Sequence, residues 1–412
     1  QCDFLFESHI GDIINKFYFG NFNRFPLFKY FHKNFLHSFN FLYGVFKFSK
    51  NKMRTKIQNI CQKRFRKALL AWYDRQGREL PWRYKNGAKP DPYRVWLSEI
   101  MLQQTTVAAV IPYFLKFTQK WPNVHALANA DLDEVMKEWA GLGYYARARN
   151  LHKCAQIVSA DLKGIFPNDI AELKKLPGIG EYTSAAIAAI VYNIPATVVD
   201  ANVERVMARA LAFKKPFPAG KKELARMAAP FFNFPDRPGD FPQALMDLGA
   251  MVCIPKEPRC NLCPVETLCS ARKQAIEKSL PVFKKSRKKP QKYGHVFWIT
   301  NEAGEVLLHR RPPTGMLGGM TGLPTSDWNE NPSKLQRPDI LNKCSISGFR
   351  NKPVFVNHSF THFDLRLELK AGKLKKRLTT KEVFIWKKPD DIENIGFPTV
   401  FKKAAVLFKA RA

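Results

Sequence analysis

Leu176-Pro177-Gly178-Ile179-Gly180 is the stretch on which the fold reading turns. It lies between two segments, 171–175 and 182–191, whose apolar residues recur at three- and four-residue spacing, so it predicts two helices joined by a tight turn. Two glycines permit backbone conformations that leave N–H groups free, and the following helix adds its N-terminal dipole. A phosphate oxygen suits that arrangement. Taken alone, a Gly-x-Gly turn is weak evidence, since helices routinely end on glycine.

Downstream, four of the eight cysteines fall within seventeen residues: Cys253, Cys260, Cys263 and Cys269, spaced Cys-x6-Cys-x2-Cys-x5-Cys. Zinc sites normally place two close Cys pairs far apart. Here one close pair has a single outlier on each side, and thiolates are the usual ligands of iron–sulfur clusters. The spacing points to a four-iron four-sulfur cluster, with a zinc ribbon as the alternative. Cys2, Cys61, Cys154 and Cys344 are scattered, so the pattern reads as a metal site in a reducing compartment, not a secreted disulfide framework. Lys256, Arg259, Arg272 and Lys273 flank the loop and offer cations to a phosphate backbone.

The 412 residues allow two or three domains, and 67 Lys and Arg against 35 Asp and Glu leave a formal charge of +32. That excess favours a polyanionic partner. A 45% hydrophobic and 13% aromatic composition excludes wholesale disorder. Residues 1–52 stand apart, with thirteen Phe, one Arg and three Ser, which does not match a transit peptide. They read as an extension that is not a folded domain, ahead of a start at Met53, with an interaction or membrane-surface tail as the alternative. The longest uncharged run there, 34–46, is too short to span a bilayer. From 57 to 273 the pattern is helical, with starts flagged by Asp, Asn or Pro, as at Asp131. Seven cations and no acid between Lys278 and Lys292 read as a linker. After Tyr293 short apolar or alternating runs, 296–299, 306–308, 365–369 and 382–386, predict strands. The expected domains are therefore 53–277, all α; a basic linker, 278–292; and 293–412, α+β.

The hairpin, the following Val198-Val199-Asp200-Ala201-Asn202 and the cysteine loop, in that order, resemble the endonuclease III superfamily of helix–hairpin–helix DNA glycosylases. Leu80-Pro81-Trp82-Arg83, the stretch from Trp96 through Glu99 to Gln104 and Thr105, and Gly141-Leu142-Gly143-Tyr144-Tyr145 are similar to the MutY adenine DNA glycosylases over about residues 60–410. The resemblance implies a multidomain chain: an all-α helix–hairpin–helix glycosylase domain with an iron–sulfur cluster loop, and an α+β, Nudix or MutT-like C-terminal domain. It also implies one four-iron four-sulfur cluster per chain on the four cysteines.

Breaking an N-glycosidic bond is easier when the departing base is protonated and the cationic sugar is stabilised, which calls for two carboxyl groups. Glu99 sits among Trp96, Leu97, Ile100, Met101 and Leu102, an apolar setting that favours its acid form. The resemblance makes it the group that protonates adenine at N7. Asp200, which without the family reads as a helix N-cap, becomes the carboxylate that stabilises an oxocarbenium-like sugar, with Asn202 nearby. Tyr182 stands where the bifunctional branch has a Schiff-base lysine, implying a monofunctional enzyme that leaves an abasic site. Gln104 and Tyr144 match the family's wedge residues beside the orphan base, with Thr105 and Leu142 alongside. Gly178 and Gly180 would bind phosphate, and Arg83 and Gln243 are candidate adenine contacts. An adenine buried in duplex DNA must be flipped out to reach these groups.

The second domain lacks a Nudix-type cluster of glycine, arginine and paired glutamates after Gly318, so recognition without pyrophosphate hydrolysis is expected. Where the family reads 8-oxoguanine with Phe-Ser-His, this chain has Phe360, Thr361 and His362. Thr keeps the hydroxyl and leaves open how sharply 8-oxoguanine is preferred over guanine; an edge strand is the plain structural alternative. Ala201 and Pro242 also depart from the family's usual Gly and Asn. The implied partner is duplex DNA carrying adenine opposite 8-oxoguanine or guanine, bound by a monomer without membrane contact. A sliding clamp and abasic-site enzymes enter only by analogy. A cytoplasmic location on bacterial nucleoid DNA is expected. The competing readings are an endonuclease III-like glycosylase and lyase for oxidised pyrimidines, and a non-catalytic iron–sulfur DNA-binding protein.

Overall fold

In a computed structural model, the described residues are 60–84, 88–284, 288–312, 315–338, 341–342, 345–347, 353–374 and 384–410. The extension 1–52 and Met53 lie outside them. Helices run over 60–76 (α1), Pro92–Leu102 (α2), Val107–Lys120 (α3), Val124–Ala128 (α4), Leu132–Trp139 (α5) and Ala146–Ala160 (α6). They continue over Ile170–Lys175 (α7), Glu181–Tyr192 (α8), Ala201–Ala210 (α9), Lys221–Phe232 (α10), Asp240–Met251 (α11), Ser270–Lys273 (α12) and Thr399–Lys409 (α13).

The starts expected at Asp and Asn are real caps. Asp91 accepts the Tyr93 N–H ahead of Pro92, Asp131 accepts those of Asp133 and Glu134, and Asp169 those of Ala171 and Glu172. Contacts group the chain into two compact units: the described residues of Gln1–Arg78 with Tyr192–Lys284, and those of Glu79–Val191 with Lys285–Ala412.

In the first unit, α9 packs on α10, α11 and α12. Gly249 on α11 makes the α9 contact feasible, because a Cβ there would meet the Asn202 Cα at 3.2 Å and its Cβ at 2.7 Å. The fully buried Asp247 accepts the Arg78 backbone N–H at 2.8 Å and its Nε–H at 2.7 Å. The first part of the basic stretch is fastened to this unit. Leu280 is buried, Phe217 N–H donates to Val282 O, and Lys284 N–H donates to Phe217 O.

In the second unit, Val95 through Met101 of α2 are all buried, Ser98 and Glu99 among them, so the middle of this largely apolar helix has no solvent face. The strands are Gln291–Thr300 (β1), Val306–Arg310 (β2), Thr321–Gly322 (β3), Ser345–Ser347 (β4), Phe355–Ser359 (β5), Asp364–Lys373 (β6) and Phe384–Lys387 (β7). They form one mixed sheet in the order β3-β2-β1-β6-β4, with β5 on β6 and β7 on β2. Its spine is a parallel pair, β1 on β6, in register from Gln291 opposite Asp364 to Thr300 opposite Lys373. α13 lies on this sheet, placing Val400, Phe401, Ala404, Ala405 and Phe408 against Val296, Leu365 and Leu367. Phe408 stacks on Trp298 at 5.3 Å, and the Phe401 ring fills the space a side chain at Gly322 would need. The α+β architecture expected from the strand pattern is therefore present.

Phe401→Ala should lower stability by about 3–5 kcal/mol, through lost burial plus the cavity left behind. Denaturant unfolding followed by tryptophan fluorescence measures it, and a loss below ~1 kcal/mol would remove α13 from the core.

Candidate active site

The hairpin builds its site from apolar anchors outward. Leu176 and Ile179 are buried, while Gly178 and Gly180 are exposed. Gly178 has φ +81°, where a side chain is strained, and a Cβ would also crowd Asn150 at 3.1 Å. Gly180 has ordinary φ and faces open space, so its backbone can be approached closely. The Gln103 amide donates to Gly178 O at 3.4 Å and Thr183 Oγ1 at 3.2 Å, tying the end of α2 to the hairpin. Tyr182 is half-buried in the first turn of α8.

Glu99 is 5% exposed on α2, away from any solvent face. Immediately after this helix the backbone turns left-handed at Gln104, φ +59°; the Gly141–Tyr145 loop does so again at Tyr144, φ +49°. Non-glycine residues in this region cost on the order of 1–3 kcal/mol each and cluster at functional sites. Both side chains are exposed, and both line one cavity of about 570 Å³.

The same cavity is lined by Phe360, Thr361 and His362. These do not form an edge strand: they are the tip of the β5–β6 hairpin, closed by the Phe360 N–H on Phe363 O at 2.9 Å. Thr361 and His362 are exposed there, and Phe360 is braced by a stacked Trp328 ring at 5.7 Å, itself under the Arg311 guanidinium. The Tyr144 hydroxyl and Thr361 Oγ1 hydrogen-bond at 2.6 Å. Lys289 Nζ donates to Phe360 O at 2.9 Å, anchoring the far end of the basic stretch to this tip.

Not every expected residue comes to this cavity. Leu142 is buried in the core, and Thr105 is half-buried with its hydroxyl accepting from Arg147. Arg83 closes a turn on Leu80 O. Gln243 is buried, and its amide donates to the O of Gly239, the residue that precedes its own helix. Arg147 was not singled out from the sequence. It is 8% exposed and donates to Ile100 O, Met101 O, Thr105 Oγ1, Leu142 O and Gly143 O at 2.7–3.1 Å. Burial pushes its pKa down to about 10. Only its position on a basic helix next to the Gly-Leu-Gly-Tyr-Tyr loop hinted at it.

In the first unit Asp200 has the capping role that its sequence setting reads as. It is the N-cap of α9, Oδ1 accepting the Val203 N–H at 2.7 Å, while Oδ2 accepts from Asn202 Nδ2 at 3.0 Å. Asn202 Oδ1 in turn accepts from Arg205, whose guanidinium also donates to Gly249 O and Cys253 O. The carboxylate is thus held in one orientation by a chain of hydrogen bonds that runs to the cysteine loop.

Cys253, Cys260, Cys263 and Cys269 line a single cavity, shaped by short 3₁₀ turns at Cys260–Leu262 and Glu266–Leu268. Among the described residues no group of three or more His, Cys, Asp or Glu is placed to hold a single metal ion. Arg209 beside it is 1% exposed and donates to Cys253 Sγ at 3.3 Å and to four backbone carbonyls. No carboxylate among the described residues pairs with it. Burial raises the Cys263 thiol to about 12, so thiolates here need compensating positive charge. A polynuclear thiolate cluster fits this donor set.

Two helices joined at the Gly178–Gly180 turn form the helix–hairpin–helix element after which one class of DNA glycosylases is named, and this chain is of that class. In agreement, residues 97–229 match the model of the HhH-GPD superfamily of base excision DNA repair proteins, and 295–406 match a NUDIX domain. Curated relatives narrow this further. The chain is 37% identical to the adenine DNA glycosylase of Homo sapiens, over 84% of this chain and 74% of that one. It is 32% identical to that of Buchnera aphidicola, over 84% and 97%. A solved thermostable thymine-DNA glycosylase is 29% identical, covering 53% of this chain and 99% of its own, with a TM-score of 0.47. The chain belongs to the adenine DNA glycosylase family. No helix among the described residues is long and apolar enough to cross a membrane.

Asp200→Asn separates the two readings of this residue, because Asn caps helices as well as Asp does. Denaturant stability should stay within ~0.5 kcal/mol of the parent while single-turnover excision falls at least about 100-fold. A matching loss of stability would show a structural role only.

Proposed function

We propose that this chain is a monofunctional adenine DNA glycosylase that flips adenine out of duplex DNA where it lies opposite 8-oxoguanine or guanine, and excises it. The cavity shared by Gln104, Tyr144, Phe360, Thr361 and His362 carries the reading, since one surface presents both exposed wedge residues and the hairpin tip. Aromatic and amide side chains there can fill the stack and contact the estranged base, while the exposed Gly178 and Gly180 backbone receives phosphate. The domain organisation proposed is 53–277 for base removal, 278–292 as a connecting basic stretch and 293–412 for reading the opposite base.

In this mechanism the Glu99 carboxylic acid gives its proton to N7 of the flipped adenine. The C1′–N9 bond then breaks with its electron pair leaving on the base. Asp200, fixed by the Val203 N–H and Asn202, stabilises the oxocarbenium-like sugar, as a carboxylate does in glycoside hydrolysis. Water adds at C1′, and the proton it releases restores Glu99, leaving an abasic site. Tyr182 carries no amine, so no imine with the sugar forms and the strand is not cut.

Cys253, Cys260, Cys263 and Cys269 would hold one four-iron four-sulfur cluster. When bound, it cross-links the loop and supplies the charge that keeps the thiolates ionised. Lys256, Arg259 and Lys273, exposed on that loop, are then available to phosphates, whereas Arg272 is held by Glu266 and Glu277. Cys263→Ser should cut iron content and visible cluster absorbance severalfold. Unchanged iron would remove that cysteine from the ligand set.

Glu99→Gln keeps the shape and removes the transferable proton. On a duplex with adenine opposite 8-oxoguanine, alkali-revealed excision should fall at least about 100-fold while mispair binding persists. Retained excision would sink the assignment of the acid. With the parent enzyme, efficient borohydride trapping of a covalent adduct would instead favour a glycosylase with lyase activity.

A further inference from the structure

We propose that Arg147 is the positioning residue that holds both wedge residues in their left-handed conformations and couples them to the helix carrying Glu99. This rests on the reading of Gln104 and Tyr144 as the wedge.

An α-helix leaves its last carbonyls without intrahelical donors. α2 ends at Leu102, and the Ile100 and Met101 carbonyls both accept from Arg147 Nη1, at 3.0 and 2.7 Å. Arg147 thus closes the C-terminus of the Glu99 helix and carries a cation where the dipole favours one. Nη2 turns to the two wedge loops. It donates to Thr105 Oγ1 at 3.0 Å, next to Gln104, and to Leu142 O and Gly143 O at 3.1 Å, next to Tyr144. Its carbon lies 5.2 Å from the Trp139 ring and 5.5 Å from the Tyr144 ring. Nε has no acceptor among the described residues, and no carboxylate there forms an ion pair with Arg147.

The planar fork is spent on backbone and hydroxyl acceptors drawn from three sequence segments. Lysine cannot reproduce this, because its single ammonium presents three donors from one atom. Remote structural roles would leave wedge and acid independent. Here one guanidinium ties residues on either side of Gln104, and the two residues before Tyr144, to the end of the buried helix, so loosening it moves the wedge residues relative to an acid that the core still holds. Misplacement of about 1 Å costs rate on the order of 100-fold.

Three proteins, the parent, Arg147→Lys and Tyr144→Ala, are compared on two substrates under single turnover. One duplex carries adenine opposite 8-oxoguanine; the other carries adenine opposite an abasic-site analogue, where the adenine has no partner to be parted from. Arg147→Lys should lose about 10-fold or more in excision rate on the first, with affinity for undamaged duplex within twofold. A 2-aminopurine at the target position should show a weakened flipping signal. On the second duplex the deficit should shrink to about threefold or less.

Equal deficits on both duplexes would overturn the proposal in favour of a general structural role, as would parental rates on both. If Tyr144→Ala is defective and Arg147→Lys is not, this inference fails and the wedge reading stands. If Tyr144→Ala has the parental rate, the wedge reading itself fails. Should Arg147→Lys not fold, Thr105→Val removes one acceptor of the five; it should show the same duplex dependence at about two- to fivefold, and no such dependence would overturn the proposal.

Discussion

Backbone carbonyls that lose their donors at helix ends and in loops must be satisfied, and in this protein buried and half-buried guanidinium groups do it. Arg147 serves the end of α2 and the Gly141–Tyr145 loop, Arg205 serves Gly249 and Cys253, and Arg209 serves Cys253, Ile254, Pro255 and Leu280. None of the three forms an ion pair with a carboxylate among the described residues. Desolvating such a cation is costly, and the cost is offset only when most of its N–H groups find acceptors. Arg meets that demand with a rigid five-donor fork. The Gly141–Tyr145 loop and the stretch 253–255 have no sheet or helix ladder of their own, so these arginines take the place of one.

The parts of the fold that were legible in the sequence are those specified locally. The run Val95 to Met101 is largely apolar, and it became a length of helix with no solvent face. Leu176 and Ile179 turn inward and the glycines outward because the spacing of apolar residues in a tight turn allows little else. Asp131 and Asp169 cap helices by bonding N–H groups two and three residues on, a relation contained within the sequence window.

What was not legible depends on distant partners. Arg147 lies in Ala146-Arg147-Ala148-Arg149, where arginine ordinarily marks a solvated face, and its acceptors begin 47 residues upstream. Nothing near it announces burial. The family resemblance sets Leu142 alongside the wedge, and its side chain is buried in the core. The β1–β6 pairing joins strands some 70 residues apart, and short apolar runs name no partner. Asp200 shows a different limit. A helix cap and a catalytic carboxylate read as alternatives in the sequence, yet capping uses one oxygen for a backbone N–H and orients the whole carboxylate, so the two readings are compatible.

The Tyr144–Thr361 contact bears on how an opposite base would be read. Two hydroxyls hold two hydrogens and four lone pairs. Their 2.6 Å bond uses one hydrogen and one lone pair, whichever oxygen donates. One hydrogen and three lone pairs remain. Guanine offers an acceptor at N7, which the remaining hydrogen can meet. 8-Oxoguanine offers an N7–H donor and an O8 acceptor, which a lone pair and that same hydrogen can meet together. Against an oxidised base the pair would therefore have the capacity for one more hydrogen bond than against guanine at these positions, without parting first. Threonine in place of serine leaves that count unchanged. Its methyl restricts χ1 and so lowers the entropy lost on ordering an exposed hydroxyl at a hairpin tip. On this count the substitution alters how firmly the hydroxyl is held and leaves its bonding capacity intact.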